Sequence, residues 1–182
     1  MPRLVRPGRR QLGLSPAALA VATLLSERSE LGRAGDPEIP LPEILEATSL
    51  SIDDLGVAVD ELESLRMVKP VRALGCPPHG YHSVEAAAPL FLALDPQLRG
   101  WNPRADASRL VTDLINSGRE WLDVGEAAER LGWEPRRMNP ALYYLQSRDV
   151  VLMSQSINRL YLTSAFTRNS RTLRFARDSD AR

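Results

Sequence analysis

The chain has 182 residues and an ordinary globular composition, 43% hydrophobic and 25% charged, with 23 basic residues balancing 23 acidic ones. That length accommodates one large or two small domains. The single cysteine, Cys76, excludes an intramolecular disulfide framework and points to a reducing, cytoplasmic setting, and no apolar run approaches transmembrane length.

Residues 1–14 carry Arg3, Arg6, Arg9 and Arg10 and no acid, and read as a flexible basic arm. In composition this arm is like those that lie in a minor groove, and equally like a solvated tail. Arg9-Arg10-Gln11-Leu12 before the apolar stretch Ala17 to Leu25 has the look of a twin-arginine export signal. The stretch runs into Ser26-Glu27-Arg28 without a clear cleavage site, however, and Leu14, Ala18, Val21 and Leu25 share one helical face. It is read as the first core helix, capped by Ser15, opened by Pro16 and reaching about Leu31.

A loop is predicted from Gly32 to Pro40, then a short helix from Pro42 and a turn at Thr48-Ser49-Leu50. Ser51 caps a longer helix whose stripe Ile52, Leu55, Val59, Leu62 and Leu65 is expected to be buried. Lys69 to Ala73 reads as the first arm of a hairpin with its tip at Gly75 to Gly80. The chain returns from Tyr81, pairing through Pro89-Leu90-Phe91-Leu92. Pro96 and Gly100 mark Asp95 to Trp101 as a connection.

Asn102 then caps a helix with Leu110, Val111, Leu114 and Ile115 on one face up to Gly118. Val124 to Leu131 is a second helix, Gly132 the turn, and a third helix runs from Glu134-Pro135 to about Ser147. Pro140 falls inside it, where proline removes a hydrogen bond and crowds the preceding turn at a cost of about 3 kcal/mol. Either the helix kinks there, or Asn139 caps a separate helix beginning at Pro140. A second hairpin follows, Val150 to Ser154 and Leu160 to Phe166, turning at Ile157-Asn158. From Thr167 the tail is basic, then polar.

One pattern thus occurs twice, Leu41 to Val68 and Val124 to Val151, at an offset of 83 residues. Leu55, Ala58, Val59 and Leu62 correspond to Met138, Ala141, Leu142 and Leu145. The predicted fold class is mainly α with small β hairpins (α+β). It comprises a flexible arm 1–14, a first unit 15–95, a linker 96–102, a second unit 103–174 and a flexible tail 175–182.

Val124-Gly125-Glu126-Ala127-Ala128-Glu129-Arg130-Leu131-Gly132-Trp133, followed by a two-arginine helix and a hairpin, resembles the winged helix-turn-helix superfamily of bacterial regulators. Leu41 to Val68 is similar to a degenerate version, and the resemblance covers Ser15 to about Arg174. It implies tandem winged-helix domains in which a third helix enters the major groove and the wing touches the backbone or minor groove. Carried onto this chain, DNA contact falls to Arg136, Arg137, Asn139 and Tyr143, with Asn158, Arg159 and Arg168 from the wing. Arg171 in the tail, with Arg174 and Arg177, would add sequence-independent phosphate contacts. The expectation is a cytoplasmic, non-enzymatic, double-stranded DNA-binding protein, by analogy a transcriptional regulator, with no cofactor.

Charge separates the two units. Acids outnumber bases by seven from Gln11 to Gly100, whereas nine arginines face four acids from Glu134 to the end. In the first unit's third helix the outward positions include Asp53, Asp54, Asp60, Glu61 and Glu63, which phosphates would repel. The second unit has Arg136 and Arg137 in place of Asp53 and Asp54, suited to base edges if they are not merely solvated charges. The acidic face of Asp53, Asp54, Asp60 and Glu61 is therefore expected to serve a homodimer or another protein partner. An alternative expectation is an adaptor in which both units bind protein.

Cys76, His79 and His82 form C-x-x-H-x-x-H, a set zinc would accept with one more donor. No fourth ligand is evident, Glu85 being a weak candidate, and the segment is read as a tight turn without metal. No phosphate-binding glycine loop, G-x-S-x-G or H-E-x-x-H is present. Trp101, Trp121 and Trp133 are expected in the core or between the units.

Overall fold

The computed structural model describes residues 13–72, 75, 80–156 and 158–180. It is an α+β structure with two small three-stranded antiparallel sheets, each set in a helical unit. The first unit runs α1 (Pro16–Arg28), β1 (Glu38–Pro40), α2 (Leu41–Thr48), α3 (Ile52–Ser64), β2 (Val68–Arg72), β3 (Tyr81–Ala86) and α4 (Ala88–Leu98). The second runs α5 (Pro103–Asn116), β4 (Trp121–Asp123), α6 (Val124–Leu131), α7 (Pro135–Ser147), β5 (Val151–Met153), β6 (Ala165–Arg168) and α8 (Thr172–Asp180). In both sheets the last strand is central, in the orders β1-β3-β2 and β4-β6-β5.

The repeat is built into the backbone. Ser49 (φ 55°) and Gly132 (φ 64°), 83 residues apart, make the same left-handed turn between the second and third helices of their units. Arg66 (φ 57°) and Asp149 (φ 51°), also 83 apart, turn the chain from the third helix into the hairpin. Left-handed geometry disfavours a side chain by roughly 1–2 kcal/mol, a strain that Gly132 escapes and Ser49 does not. The same offset relates β1 to β4 and α4 to α8.

Local signals explain where the helices start. Ser15 Oγ accepts from the Ala18 N–H at 3.2 Å, and Ser51 Oγ from the Asp54 N–H at 3.1 Å. Asn102 Oδ1 takes both the Arg104 and Ala105 N–H groups, and Asp123 Oδ1 takes that of Glu126. Each cap satisfies donors that the first turn of a helix leaves open. Every unit then closes over its own core. Val21, Leu25, Ile44, Leu55, Val59, Leu62, Val84 and Phe91 form one, and Leu110, Leu114, Leu122, Met138, Leu142, Leu145 and Phe166 the other. The expected stripe on α3 is buried at Leu55, Val59 and Leu62, but Leu65 is 48% exposed.

Several expectations are corrected. Pro89 to Leu92 lie in α4 rather than in a returning strand, because β3 ends at Ala86. Pro96 does not interrupt that helix; it sits inside its last turns. The predicted loop before Pro40 contains β1, and the stretch before Val124 contains β4; both are three-residue strands with one buried side chain each, Ile39 and Leu122. Pro140 lies within a continuous α7, so no separate helix begins there. The second hairpin returns at Ala165 rather than Leu160, and Thr172–Asp180, read as tail, form a helix.

Tyr81, at the start of β3, is buried in the first core. Burial, reinforced by the negative charge of Asp60, pushes its phenol up from the usual 10.0 to about 12. Folded protein therefore keeps this proton where an unfolded chain loses it. Stability should be unaffected below pH 10 and should fall as pH rises from there towards 12. Urea midpoints across that range should show the decline, and Tyr81→Phe should flatten much of it.

Candidate functional site

The start of α7, where Arg136, Arg137 and Asn139 lie, is expected to meet a ligand. Here it meets the first unit. The Arg136 guanidinium makes two 2.7 Å hydrogen bonds to the Asp95 carboxylate of α4, and both side chains are almost wholly buried. Its Nη2 also donates to Ser26 Oγ at 3.1 Å, and its charge lies 4.4 Å from the Phe91 ring centroid. A guanidinium offers planar paired donors, so it can hold a carboxylate and an aromatic face at once.

Asn139, 1% exposed, extends the junction. Its Nδ2 donates at 2.8 Å to the carbonyls of Leu31, in the first unit, and Leu160, in the second. Its Oδ1 accepts from the Leu162 N–H at 2.7 Å. The loop carrying Leu31 is shaped by Asp36, whose Oδ2 accepts from Ser29 Oγ and from the N–H groups of Leu31 and Gly32. Gly32 (φ 66°) then lies so close to α7 that a Cβ there would sit 2.6 Å from the Arg136 carbonyl oxygen. Arg33 adds a 3.2 Å bond to the Asn158 carbonyl, and Arg99 one of 3.3 Å to that of Ser26.

The expected solvent exposure of Arg136 and Asn139 is thus corrected: both are consumed in joining the two units. Arg137 is partly exposed, but Asp106 holds it through two bonds of 2.9 and 2.7 Å, and it stacks 4.6 Å from the Trp133 ring centroid. The hydrogen bonds to Asp106 raise its already high pKa. Tyr143 is half-buried. Asn158 uses its side chain locally, accepting from Leu160 and Tyr161. Arg159, Arg168 and Arg171 are exposed, with Arg171 paired to Asp149 at 3.1 Å. The arginines named from the sequence therefore do not form one continuous basic surface on α7 and the second hairpin.

On α3, Asp53, Asp54 and Asp60 are exposed together with Val57, which is 67% exposed. Asp54 also accepts from the capping Ser51 hydroxyl. Glu61 faces elsewhere: its carboxylate accepts the Ser15 N–H at 3.0 Å, and hydrogen bonding from Ser15 holds its pKa down. Cys76 and His79 lie outside the described residues, and His82 Nε2 is 4.0 Å from a Glu38 carboxylate oxygen. Among the described residues no group of three His, Cys, Asp or Glu could hold a metal ion. Trp133 is buried in the second core, whereas Trp121 is 44% exposed, contrary to expectation.

A different concentration of positive charge was not anticipated. An open groove of about 370 Å³ lies between the start of α5, the end of α7 and α8. Arg104, Arg148, Arg171 and Arg174 line it together with Tyr144, Phe175 and Asp178. Among the described residues Arg104, Arg148 and Arg174 have no carboxylate partner within ion-pair distance. Arg148 instead lies 5.4 Å from the Tyr144 ring centroid. Arg171 and Arg174 were expected from the sequence to contact phosphate, but Arg104 and Arg148 are brought beside them only by tertiary packing.

No protein-family model matches the chain, and no curated protein matches it. Among the described residues, no helix is long and apolar enough to cross a membrane.

Proposed function

We propose that the chain is a tandem winged-helix protein acting as an assembly scaffold, its two units docked as one body and presenting the acidic α3 face to a protein partner. The helix–strand–helix–helix–strand–strand order and the central position of the last strand, repeated in both units, support the winged-helix reading. The observation that carries the scaffold reading is the burial of Arg136 and Asn139. The third helix of the second unit has spent Arg136 and Asn139 on the first unit, and Asp106 of its own unit holds Arg137. The third helix of the first unit exposes Asp53, Asp54 and Asp60, which a phosphate-lined groove would repel. Neither helix is then suited to read bases, and a cationic protein surface suits α3 better.

Two measurements test this. Selection from a random duplex pool should yield no consensus sequence. Crosslinking in cells should trap a partner with wild type that Asp53→Lys/Asp60→Lys, folded to the same extent, fails to trap. A consensus recovered by the wild type, or an unchanged set of trapped proteins, would sink the scaffold reading. The second reading is a double-stranded DNA-binding regulator of transcription. What favours it is the exposure of Arg159 and Arg168 in the second hairpin, where a wing would lie.

A further inference from the structure

We infer that the arginine groove between the start of α5, the C-terminal end of α7 and α8 is a binding site for the phosphodiester backbone of duplex DNA. This inference stands independently of the scaffold reading. Three separate elements contribute its charge: Arg104 comes from the first turn of α5, Arg148 from the end of α7, and Arg171 and Arg174 from the start of α8.

The chemistry selects a phosphate-bearing ligand. Guanidinium forks match phosphate oxygens, and Arg104, Arg148 and Arg174 lack a carboxylate to compete for them among the described residues. The Arg171–Asp149 pair has both side chains 63% exposed, so solvent screens it and an incoming phosphate can displace the carboxylate. Among the described residues Asp178 is the one opposing charge in the lining. The groove is open and shallow, which suits a continuous polyanion better than an enclosed small molecule. Tyr144 and Phe175 in the lining are already packed on each other, their ring centroids 6.3 Å apart at a tilted angle. No base edge need be read, and binding of this kind is sequence-independent and steeply salt-dependent.

The test is fluorescence anisotropy of the full chain with a short random duplex over a salt series. Wild type should bind weakly, with a slope of log affinity against log salt of about −3 for three or four neutralised phosphates. Arg148→Gln/Arg174→Gln should lower affinity about tenfold or more at low salt and reduce the slope by about 2. A charge-matched control, Arg28→Gln/Arg119→Gln, removes two exposed arginines paired to Glu43 and Glu126 and should change affinity less than about twofold. Circular dichroism melts establish that each variant is folded; if the groove double variant is not, Arg104→Gln and Arg174→Gln are compared singly. Absence of wild-type binding at low salt overturns the inference, as does equal weakening by groove and control variants. So does binding to vesicles of anionic lipid without binding to duplex. Because the random duplex tests only phosphate contact, failure here leaves the α3 partner experiment unaffected.

Discussion

Arg136→Ala is expected to destabilise the protein by about 3–5 kcal/mol, since it strands the Asp95 carboxylate in a dry interior. Asp95 is 1% exposed, and Arg136 bonds both of its carboxylate oxygens. The loss should appear as a lower urea midpoint. It should not be read as the net worth of the ion pair. Two buried ions are costly to dehydrate, and among the described residues Arg136 Nε has no hydrogen-bond partner to offset its share. Replacing both members, Arg136→Met with Asp95→Leu, should therefore recover most of the lost stability. A single variant within about 1 kcal/mol of wild type would mean that this contact does not join the units. A double variant as unstable as the single would mean that the pair's specific geometry, rather than charge removal, dominates.

Gly32→Ala should have the second large effect. Its φ of 66° already disfavours a side chain, and the added Cβ would lie 2.6 Å from the Arg136 carbonyl oxygen, a backbone atom that cannot rotate away. The conformational strain alone is roughly 1–2 kcal/mol, and the clash adds to it. Since the two units keep separate cores, the expected consequence is loosening of the junction rather than collapse of either unit. Unfolding should split into two transitions, and amide exchange should accelerate around Gly32 and the first turn of α7. One cooperative transition with an unchanged midpoint would show that the loop yields without cost.

The repeat was legible because it is written in periodicity and caps. The apolar spacing of α3 and α7, the caps Ser15, Ser51 and Asn102, and the turn at Gly132 all act over a few residues. The short strands β1 and β4 were not legible, for three residues give period-two alternation no room. Pro96 misled because proline was given the weight of an interior breaker, although it lies within three residues of the end of α4. That error hid Asp95. An acid four residues beyond Phe91, continuing the apolar run Leu90 to Leu94, is the trace that a buried cation must lie opposite.

For the same reason the candidate sites were legible only in part. Whether an arginine at the start of a third helix faces solvent or a neighbouring unit depends on a partner surface more than 40 positions away in the chain. Arg136 and Arg137 look alike in sequence and differ in structure because Asp95 lies deep in the junction and Asp106 near its margin. The acidity of α3 was visible, since its exposed positions follow directly from helical spacing. The arginine groove was not, since three elements separated in sequence assemble it.

The 83-residue correspondence also governs how far this architecture can grow. Asp53 occupies in the first unit the position that Arg136 holds in the second, and Asp178 occupies on α8 the position that Asp95 holds on α4. A second copy adding to the free end in the manner of the internal contact would bring Asp53 against Asp178, carboxylate to carboxylate. The bond between units can thus be made once within a chain and not again between chains. That juxtaposition of like charges opposes head-to-tail addition of copies, so raising the concentration would not drive filaments by that route.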